Sequence, residues 1–338
     1  MKELKVALLG LAGIGEEYLA VLRDAEGCEL VAAADANPEL VRQCLDGTSI
    51  RGYEDHRSLI IEGTHAGLDL LFVALEPYQS VDFVELAARQ GVGVFHKAPA
   101  ARTVTELQRM VECFDSAGLP FVVSRPWQAE PAYSALSELD SLAGFVAVAF
   151  AEIGSAEGDA GWRGDSMRAG GGVLLNGGYE LVDMLVSLLG MPEAVYAQCS
   201  ALAAPGAVRK SDTEDAAGLV LRFTQGRAAT VSAIRGVAKR YSRVALTGER
   251  SLVEILPNGM TVTPHNGSPA RHHPVRTSYA AEPAIRACVD QLRSPDVDPR
   301  STAREHLLTM AVIEAAYLSA KTGSPESPTR FFEPDHAG

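Results

Sequence analysis

The stretch Lys5-Val6-Ala7-Leu8-Leu9-Gly10-Leu11-Ala12-Gly13-Ile14-Gly15, followed by Glu29-Leu30-Val31-Ala32-Ala33-Ala34-Asp35, decides the fold. An unbroken apolar run reads as a strand buried on both faces. The glycines then mark a tight turn into a helix on which Leu19 and Leu22 share a face. Gly10 permits the turn, and Gly15 lets helix and strand pack closely. Ala12, with Gly13 and Ile14 beside it, sits where backbone approaches a pyrophosphate at a helix N-terminus. The pattern is G-x-A-x-x-G, one methyl from the dinucleotide fingerprint. Asp35 ends the second predicted strand, about 20 residues on, where a carboxylate can accept hydrogen bonds from adenosine ribose hydroxyls; a helix or turn cap is the alternative. Asp35 would repel a 2′-phosphate, and Ala36-Asn37-Pro38 offers no arginine to hold one, so NAD is favoured over NADP.

Outward from this unit, short apolar runs alternate with helical segments, the signature of a parallel sheet. The predicted strands are 5–9, 29–34, 70–75, 92–95 and 121–124. Asn37-Pro38 reads as an N-cap with proline at the first helical position. Thr103-x-x-Glu106 reads as a capping box ahead of Val104, Leu107, Val111 and Phe114. Arg125-Pro126-Trp127 through Pro131 reads as a linker. Beyond it the expected elements are a strand over 145–152, one apolar helix over 173–189 ended by Gly190, and strands over 194–200, 218–223, 228–234, 243–247 and 252–255. Thr224-Gln225-Gly226 is a short turn, so this sheet should be mainly antiparallel. Helices over 281–292 and 302–321 close the chain. The expected class is α/β: a Rossmann doubly wound parallel sheet over 1–125, then an α/β substrate-binding and oligomerisation domain over 126–338.

A chain of 338 residues favours two domains. Its formal charge of −13, with no basic stripe, argues against nucleic-acid and membrane-surface partners. The five cysteines form no Cys-x-x-Cys pair, so neither a disulfide framework nor a zinc knuckle is expected. Residues 1–14 do not read as a signal peptide, because Glu3, Glu16 and Glu17 fall where one requires basic or small residues. No apolar run reaches the roughly 18 residues a membrane helix needs. A cytoplasmic location is expected. His272 and His273, between Arg271 and Pro274, read as a polar loop rather than metal ligands, and no spacing suggests a catalytic metal.

Nearly the whole chain resembles the glucose–fructose oxidoreductase, inositol dehydrogenase and MocA family. The family's Glu-Lys-Pro looks like His96-Lys97-Ala98, followed by Pro99. Its glycine-run helix looks like Gly170-Gly171-Gly172 through Asn176, Glu180 and Asp183. Asp212-Thr213-Glu214-Asp215 is similar to the acidic lead-in to its sheet, and Ile313 to Ser319 to its closing helix. The resemblance implies that Glu76-Pro77 borders the cofactor; a plain loop start is the alternative. It also implies a sugar, inositol or polyol substrate and a homodimer or homotetramer formed through an open sheet face.

Lys97 follows a strand end on the ligand side of the sheet, where a lysine can bind a substrate hydroxyl and pass its proton. A solvated loop lysine is the alternative. Three departures from the family stand out: His96 replaces its carboxylate beside the lysine, Asn176 its catalytic aspartate, and Glu180 its catalytic histidine. Without an adjacent carboxylate, Lys97 is expected to lose its proton readily and to act as the main base. Glu180 could accept a hydroxyl proton or hold an amine, or could be a rim charge; Asn176 can only hydrogen-bond. His96 could orient Lys97 or fill space. Lys97 and Glu180 are expected to converge on one cleft, with Trp162, Arg163 and Arg168 at its border; structural packing is the alternative for Trp162. The expected activity is NAD-dependent oxidation or reduction at a hydroxyl or ketone. Two alternatives are a cofactor-binding sensor or regulatory protein, and a hydrolase or epimerase using NAD transiently.

Overall fold

Strand formation in the first third follows the apolar runs, because β-branched and aliphatic side chains fill both faces of a covered parallel sheet. The computed structural model describes residues 3–129, 136, 148–155, 161–201, 211–274, 281–294 and 302–332. The first elements are β1 (Leu4–Leu9), α1 (Ile14–Arg23), β2 (Cys28–Ala34), α2 (Pro38–Leu45), β3 (Arg51–Tyr53) and α3 (His56–His65). They are followed by β4 (Leu70–Val73), α4 (Pro77–Arg89), β5 (Gly93–His96), α5 (Val104–Ala117), β6 (Phe121–Val123) and α6 (Pro126–Ala129). The strands form one parallel sheet in the order β3-β2-β1-β4-β5-β6. Val6 to Leu9 are wholly buried. The Asn37 side chain accepts from the Glu39 N–H at 3.0 Å and caps α2 as its sequence predicts. Val104, Leu107, Val111 and Phe114 are all buried along α5.

The second sheet comprises β7 (Val148–Ser155), then three short helices or helical turns leading to it, α7 (Ser166–Ala169), α8 (Val173–Asn176) and α9 (Tyr179–Leu189), then β8 (Ala194–Ser200), β9 (Ala216–Arg222) and β10 (Ala228–Arg235). It continues through β11 (Tyr241–Thr247), β12 (Ser251–Leu256), β13 (Gly259–Pro264) and β14 (Arg271–Pro274), and the chain closes with α10 (Glu282–Arg293) and α11 (Thr302–Thr322). The strand order is β14-β13-β12-β11-β7-β10-β9-β8. Only the central β7–β10 pair is parallel; the other pairs are antiparallel. In the turn from β9 to β10, Gln225 and Gly226 take φ of 62° and 74°, which closes a tight hairpin.

Several expectations need correction. The single helix over 173–189 is two, α8 and α9, because Gly177-Gly178 breaks the ladder and the helical path bends by 58°. The expected strand over 145–152 runs on to Ser155, and its residues 145–147 lie outside the described residues. In the stretch read as a linker, Pro126–Ala129 makes one helical turn, α6, and the division between the two compact units falls between Glu130 and Pro131, which lie outside the described residues. His272 and His273 are not in a loop. They lie on the edge strand β14, opposite Thr261 and Met260, where Arg271 and Pro274 suit a sheet edge. β3 and β13 were not expected either.

The chain divides into two compact units. The first is Met1–Ala101, Thr105–Glu130 and Thr277–Glu305; the second is Arg102–Val104, Pro131–Arg276 and His306–Gly338. The expected continuous domain over 126–338 is thus interrupted: α10 returns to the first unit. Its Ala284, Ile285, Cys288 and Val289 share a core with Tyr18, Leu22 and Cys28. The N–H of Ala281 donates to the Glu17 carboxylate at 2.7 Å. Among the described residues no single helix is long and apolar enough to cross a membrane.

Candidate active site

Because all six strands of the first sheet are parallel, their C-terminal ends share one edge, and the winding reverses between β1 and β4. Open α/β sheets bind ligands at that reversal. Gly10 follows β1 there with φ 89°, and a Cβ on it would lie 3.0 Å from the Leu75 side chain. A Cβ on Gly15 would stand 2.2 Å from the Gly10 carbonyl oxygen, so only glycine fits. Gly13 is the reverse case: its φ is 60°, and a Cβ would meet nothing within 4 Å. Ala12 and Gly13 are exposed at the start of α1, and Ile14 is half-buried. The N–H groups of Gly15 and Glu16 already donate to the carbonyls of Ala12 (3.0 Å) and Gly13 (3.1 Å), and the positive end of the helix suits a pyrophosphate. At the end of β2, Asp35 accepts from the N–H of Leu11 (2.8 Å) and of Asn37 (2.8 Å), one on each carboxylate oxygen. Each oxygen keeps a lone pair for a ribose hydroxyl. The Gly10–Gly15 turn and Asp35 therefore fit a dinucleotide.

Glu76 and Lys97 lie past the ends of β4 and β5 on the same edge. The N–H of Lys97 donates to the Val73 carbonyl at 3.0 Å, extending the ladder by one residue. Its Nζ lies 2.7 Å from Glu76 Oε2. The expectation that Lys97 lacks a carboxylate partner is overturned: Glu76, ahead of Pro77 at the start of α4, supplies one from the neighbouring strand. A carboxylate at that distance favours the ammonium form. His96 faces inward and is fully buried. The Lys97 carbonyl can only accept, so His96 Nδ1 carries the proton it donates at 2.6 Å, and Nε2 accepts from the Ser80 hydroxyl at 2.8 Å. Burial, and secondarily the Lys97 charge, lower the His96 pKa to about 4, against the hydrogen bond to the Lys97 carbonyl. His96 is thus a neutral brace for the Lys97 backbone.

In the second unit a cavity of about 210 Å³ lies at one end of the β7–β10 pair, with Asn176, Arg163, Ser155, Arg235 and Arg240 in its wall. The glycine run beside it is held tightly. Glu214 accepts from the N–H groups of Gly172 (2.7 Å) and Leu174 (2.9 Å) and from the Tyr317 hydroxyl (3.0 Å). A Cβ on Gly171 would stand 2.1 Å from the Tyr317 hydroxyl oxygen, and one on Gly172 2.1 Å from the Glu214 carbonyl. The Asn176 amide donates to the carbonyls of Gly171 (2.9 Å) and Gly172 (3.1 Å). Only its carbonyl oxygen is left for a ligand, as an acceptor.

Glu180 opens α9 and is exposed; it is not in the cavity wall. Crowding by the surrounding protein pushes its pKa up while Arg240 pulls it down and Asp183 adds to the rise; contact with water limits the effect. Asp183 is buried and accepts from Thr309 at 2.8 Å. Arg163 lies over the Trp162 ring at 4.6 Å, and Arg168 pairs with Asp165 at 3.5 Å. Among the described residues no three His, Cys, Asp or Glu side chains form a metal-binding group. Sequence reading missed Ser155, Arg235 and Arg240. Arg235 had a visible signal: it continues the buried register Ala229, Val231, Ala233, where an arginine is out of place unless it serves a site.

The strand order, the glycine turn and Asp35 define a Rossmann-type, NAD-binding oxidoreductase. Residues 4–124 match the family described as "Oxidoreductase family, NAD-binding Rossmann fold", and residues 145–254 match the GFO/IDH/MocA C-terminal domain. The chain belongs to the GFO/IDH/MocA oxidoreductase family. It is similar to the D-apiose dehydrogenase of Paraburkholderia graminis, 26% identical over 353 residues, which covers 96% of this chain and 89% of that protein. The aldose-aldose oxidoreductase from Caulobacter crescentus, solved with glycerol, matches with a TM-score of 0.80 at 24% identity over 96% of this chain and all of its own. An oxidoreductase from Agrobacterium radiobacter, solved with NAD+, L-tartaric acid and magnesium, matches with a TM-score of 0.81 at 20% identity over 98% of this chain and all of its own.

Proposed function

We propose that this protein oxidises or reduces a hydroxyl or ketone carbon of a sugar or related polyol, using NAD. The observation that carries the reading is the Glu76–Lys97 pair at the sheet edge that also carries the dinucleotide turn. The name of the relative from Paraburkholderia graminis supports the carbohydrate class. Gly10, Ala12, Gly13, Ile14, Gly15 and Asp35 hold the cofactor, with Glu76 and Pro77 at its border. Bound NAD supplies the hydride acceptor, or NADH the donor. Lys97 handles the proton of the substrate hydroxyl: as an ammonium it donates to the oxygen, and as an amine it takes the proton. Glu76, at hydrogen-bond distance, can receive the ammonium's proton before the hydroxyl's arrives. His96 positions Lys97; within the second unit, Asn176 offers an acceptor oxygen to a ligand hydroxyl, and Glu180 attracts or repels ligands by charge.

The exposed row Tyr196, Val220 and Phe150 on one face of the second sheet supports association into a homodimer or homotetramer. Five free cysteines suit a cytoplasmic protein. The test is incubation with NAD and a panel of sugars and polyols, following the absorbance of NADH and analysing products in parallel. NADH formation matched by a carbonyl product is expected. Products formed without net reduction would mean transient NAD use, and NAD binding without any turnover would mean a regulatory protein.

A further inference from the structure

The buried face of α4 carries Pro77, Ser80, Val81, Val84, Ala87 and Ala88. All but Ser80 are apolar, and alanine would serve packing equally well at position 80. The Ser80 side chain is wholly buried, as is His96 on β5, against which α4 packs. His96 is neutral, so its ring has one proton to give and one lone pair to receive. Nδ1 donates to the Lys97 carbonyl at 2.6 Å, and Nε2 accepts from the Ser80 hydroxyl at 2.8 Å, a closer partner for that hydroxyl than the Pro77 carbonyl at 3.3 Å. A carboxylate at position 96 could accept from Ser80 but could not hold a carbonyl, because it has no proton to donate. The same turn of α4 reaches Lys97 a second time: Glu76, whose carbonyl accepts from the Ser80 N–H at 3.1 Å, meets the ammonium at 2.7 Å. Lys97 is thus held at its N–H by Val73, at its carbonyl by His96 and at Nζ by Glu76.

We infer that Ser80 is a positioning residue for Lys97 and acts through His96: its hydroxyl selects the imidazole tautomer that holds the Lys97 carbonyl, and so fixes where the lysine leaves the sheet. With alanine at position 80, Nε2 would be a buried acceptor without a donor, a costly state that the ring escapes by tilting or by carrying its proton on Nε2. Either escape withdraws the donor from the Lys97 carbonyl and lets the amine drift from its place. The inference rests on the reading that Lys97 handles the substrate proton.

The test measures three things on Ser80→Ala. They are kcat and KM with the sugar or polyol of the panel that forms NADH, NAD affinity by titration, and the nitrogen NMR spectrum of histidine-labelled protein, in which Nδ1 and Nε2 shifts tell the tautomers apart. The kcat should fall by roughly 10- to 100-fold, the scale of a misplacement of about 1 Å at a reacting group, with KM and NAD affinity nearly intact. The His96 signals, assigned by their loss in His96→Gln, should depart from the pattern of a protonated Nδ1 and an accepting Nε2. Ser80→Thr keeps the hydroxyl and should restore both readouts; Ser80→Cys, a weaker donor, should fall between. Once His96→Leu has removed the imidazole, adding Ser80→Ala should lower kcat no further. Normal kcat in Ser80→Ala, even with a lowered melting temperature, would overturn the inference, and so would losses that add in the double variant. A lowered kcat with an unaltered His96 spectrum would overturn it too, and this readout decides if His96→Leu fails to fold. Near-normal kcat in Lys97→Met would refute the role of Lys97 instead, while the spectrum still decides what Ser80 does to His96. An inactive Lys97→Met beside a fully active Ser80→Ala would refute this inference alone.

Discussion

Lys97 Nζ lies 2.7 Å from Glu76 Oε2, with the side chains 15% and 23% exposed. The two residues meet because β4 and β5 are parallel neighbours in the register Val73 to His96, which brings the positions just past both strand ends side by side. A sequence that lacks a carboxylate next to its lysine has recovered one across the sheet. The pair is half-screened from water, so its attraction exceeds that of a surface ion pair.

Removing the amine is therefore expected to affect turnover far more than cofactor binding. Lys97→Met should lower kcat by roughly 10²-fold or more, the usual scale of general acid–base catalysis, and leave NAD affinity nearly intact. Glu76→Gln should lower kcat less and displace a limb of the pH–rate profile, because the lysine loses its proton partner. Glu180→Gln should chiefly raise KM. Near-normal kcat in Lys97→Met on a confirmed substrate would refute the assignment.

Asp35 gives a second expectation. Its two oxygens are each held by one amide, from Leu11 and Asn37, at the end of β2. The protein should bind NAD(H) more tightly than NADP(H) in a fluorescence titration, and Asp35→Ala with Asn37→Arg should narrow or invert the difference. Asn37 also caps α2, so the double variant should lose about 1 kcal/mol of stability as well. Equal affinity of the unmodified protein for both cofactors would refute the role given to Asp35.

The first unit was largely legible because its signals are local. Apolar runs, Asn37-Pro38 and the glycine turn each act within a few residues of where they stand. The second was less so. The break at Gly177-Gly178 interrupts a stretch whose apolar character never lapses, so composition alone runs straight through it. β3 and β13 are short or polar and exist through pairing with distant strands. The return of α10 to the first unit depends on Ile285 and Cys288 finding Tyr18 and Cys28, some 260 residues away in sequence. In the site, Lys97, Asp35 and Asn176 could be named from their positions after strands or glycines. The Glu76–Lys97 pairing and the three-arginine wall require tertiary contacts.

Glu214 should matter for stability and not for chemistry. Its carboxylate holds two amides of the glycine run and the Tyr317 hydroxyl. Glu214→Ala strands those donors and should destabilise the protein by about 2–5 kcal/mol, read by urea unfolding. Glu214→Gln keeps an acceptor and should cost less. An unchanged denaturation midpoint in Glu214→Ala would show that the clamp is not needed.

The last expectation concerns pH. His96 is buried and neutral, and its pKa lies at about 4 in the folded protein against 6.5 when unperturbed. Between those values the unfolded chain binds a proton that the folded chain refuses, so stability must rise with pH across that window. The contribution is fully present above about pH 6.5 and is lost as pH falls toward 4, by about 3 kcal/mol in all. His56, whose pKa burial also lowers, acts in the same direction, so the raw acid sensitivity of the protein does not isolate His96. His96→Gln does. Glutamine can still donate to a carbonyl and accept from a hydroxyl but does not titrate, so its melting temperature should fall less steeply than that of the unmodified protein between pH 6.5 and 4.5. At pH 7 the variant should be the less stable of the two, since the shorter amide fills the site poorly. The two curves should therefore converge on acidification. Parallel curves would mean that His96 takes up its proton in the folded state as readily as in the unfolded one.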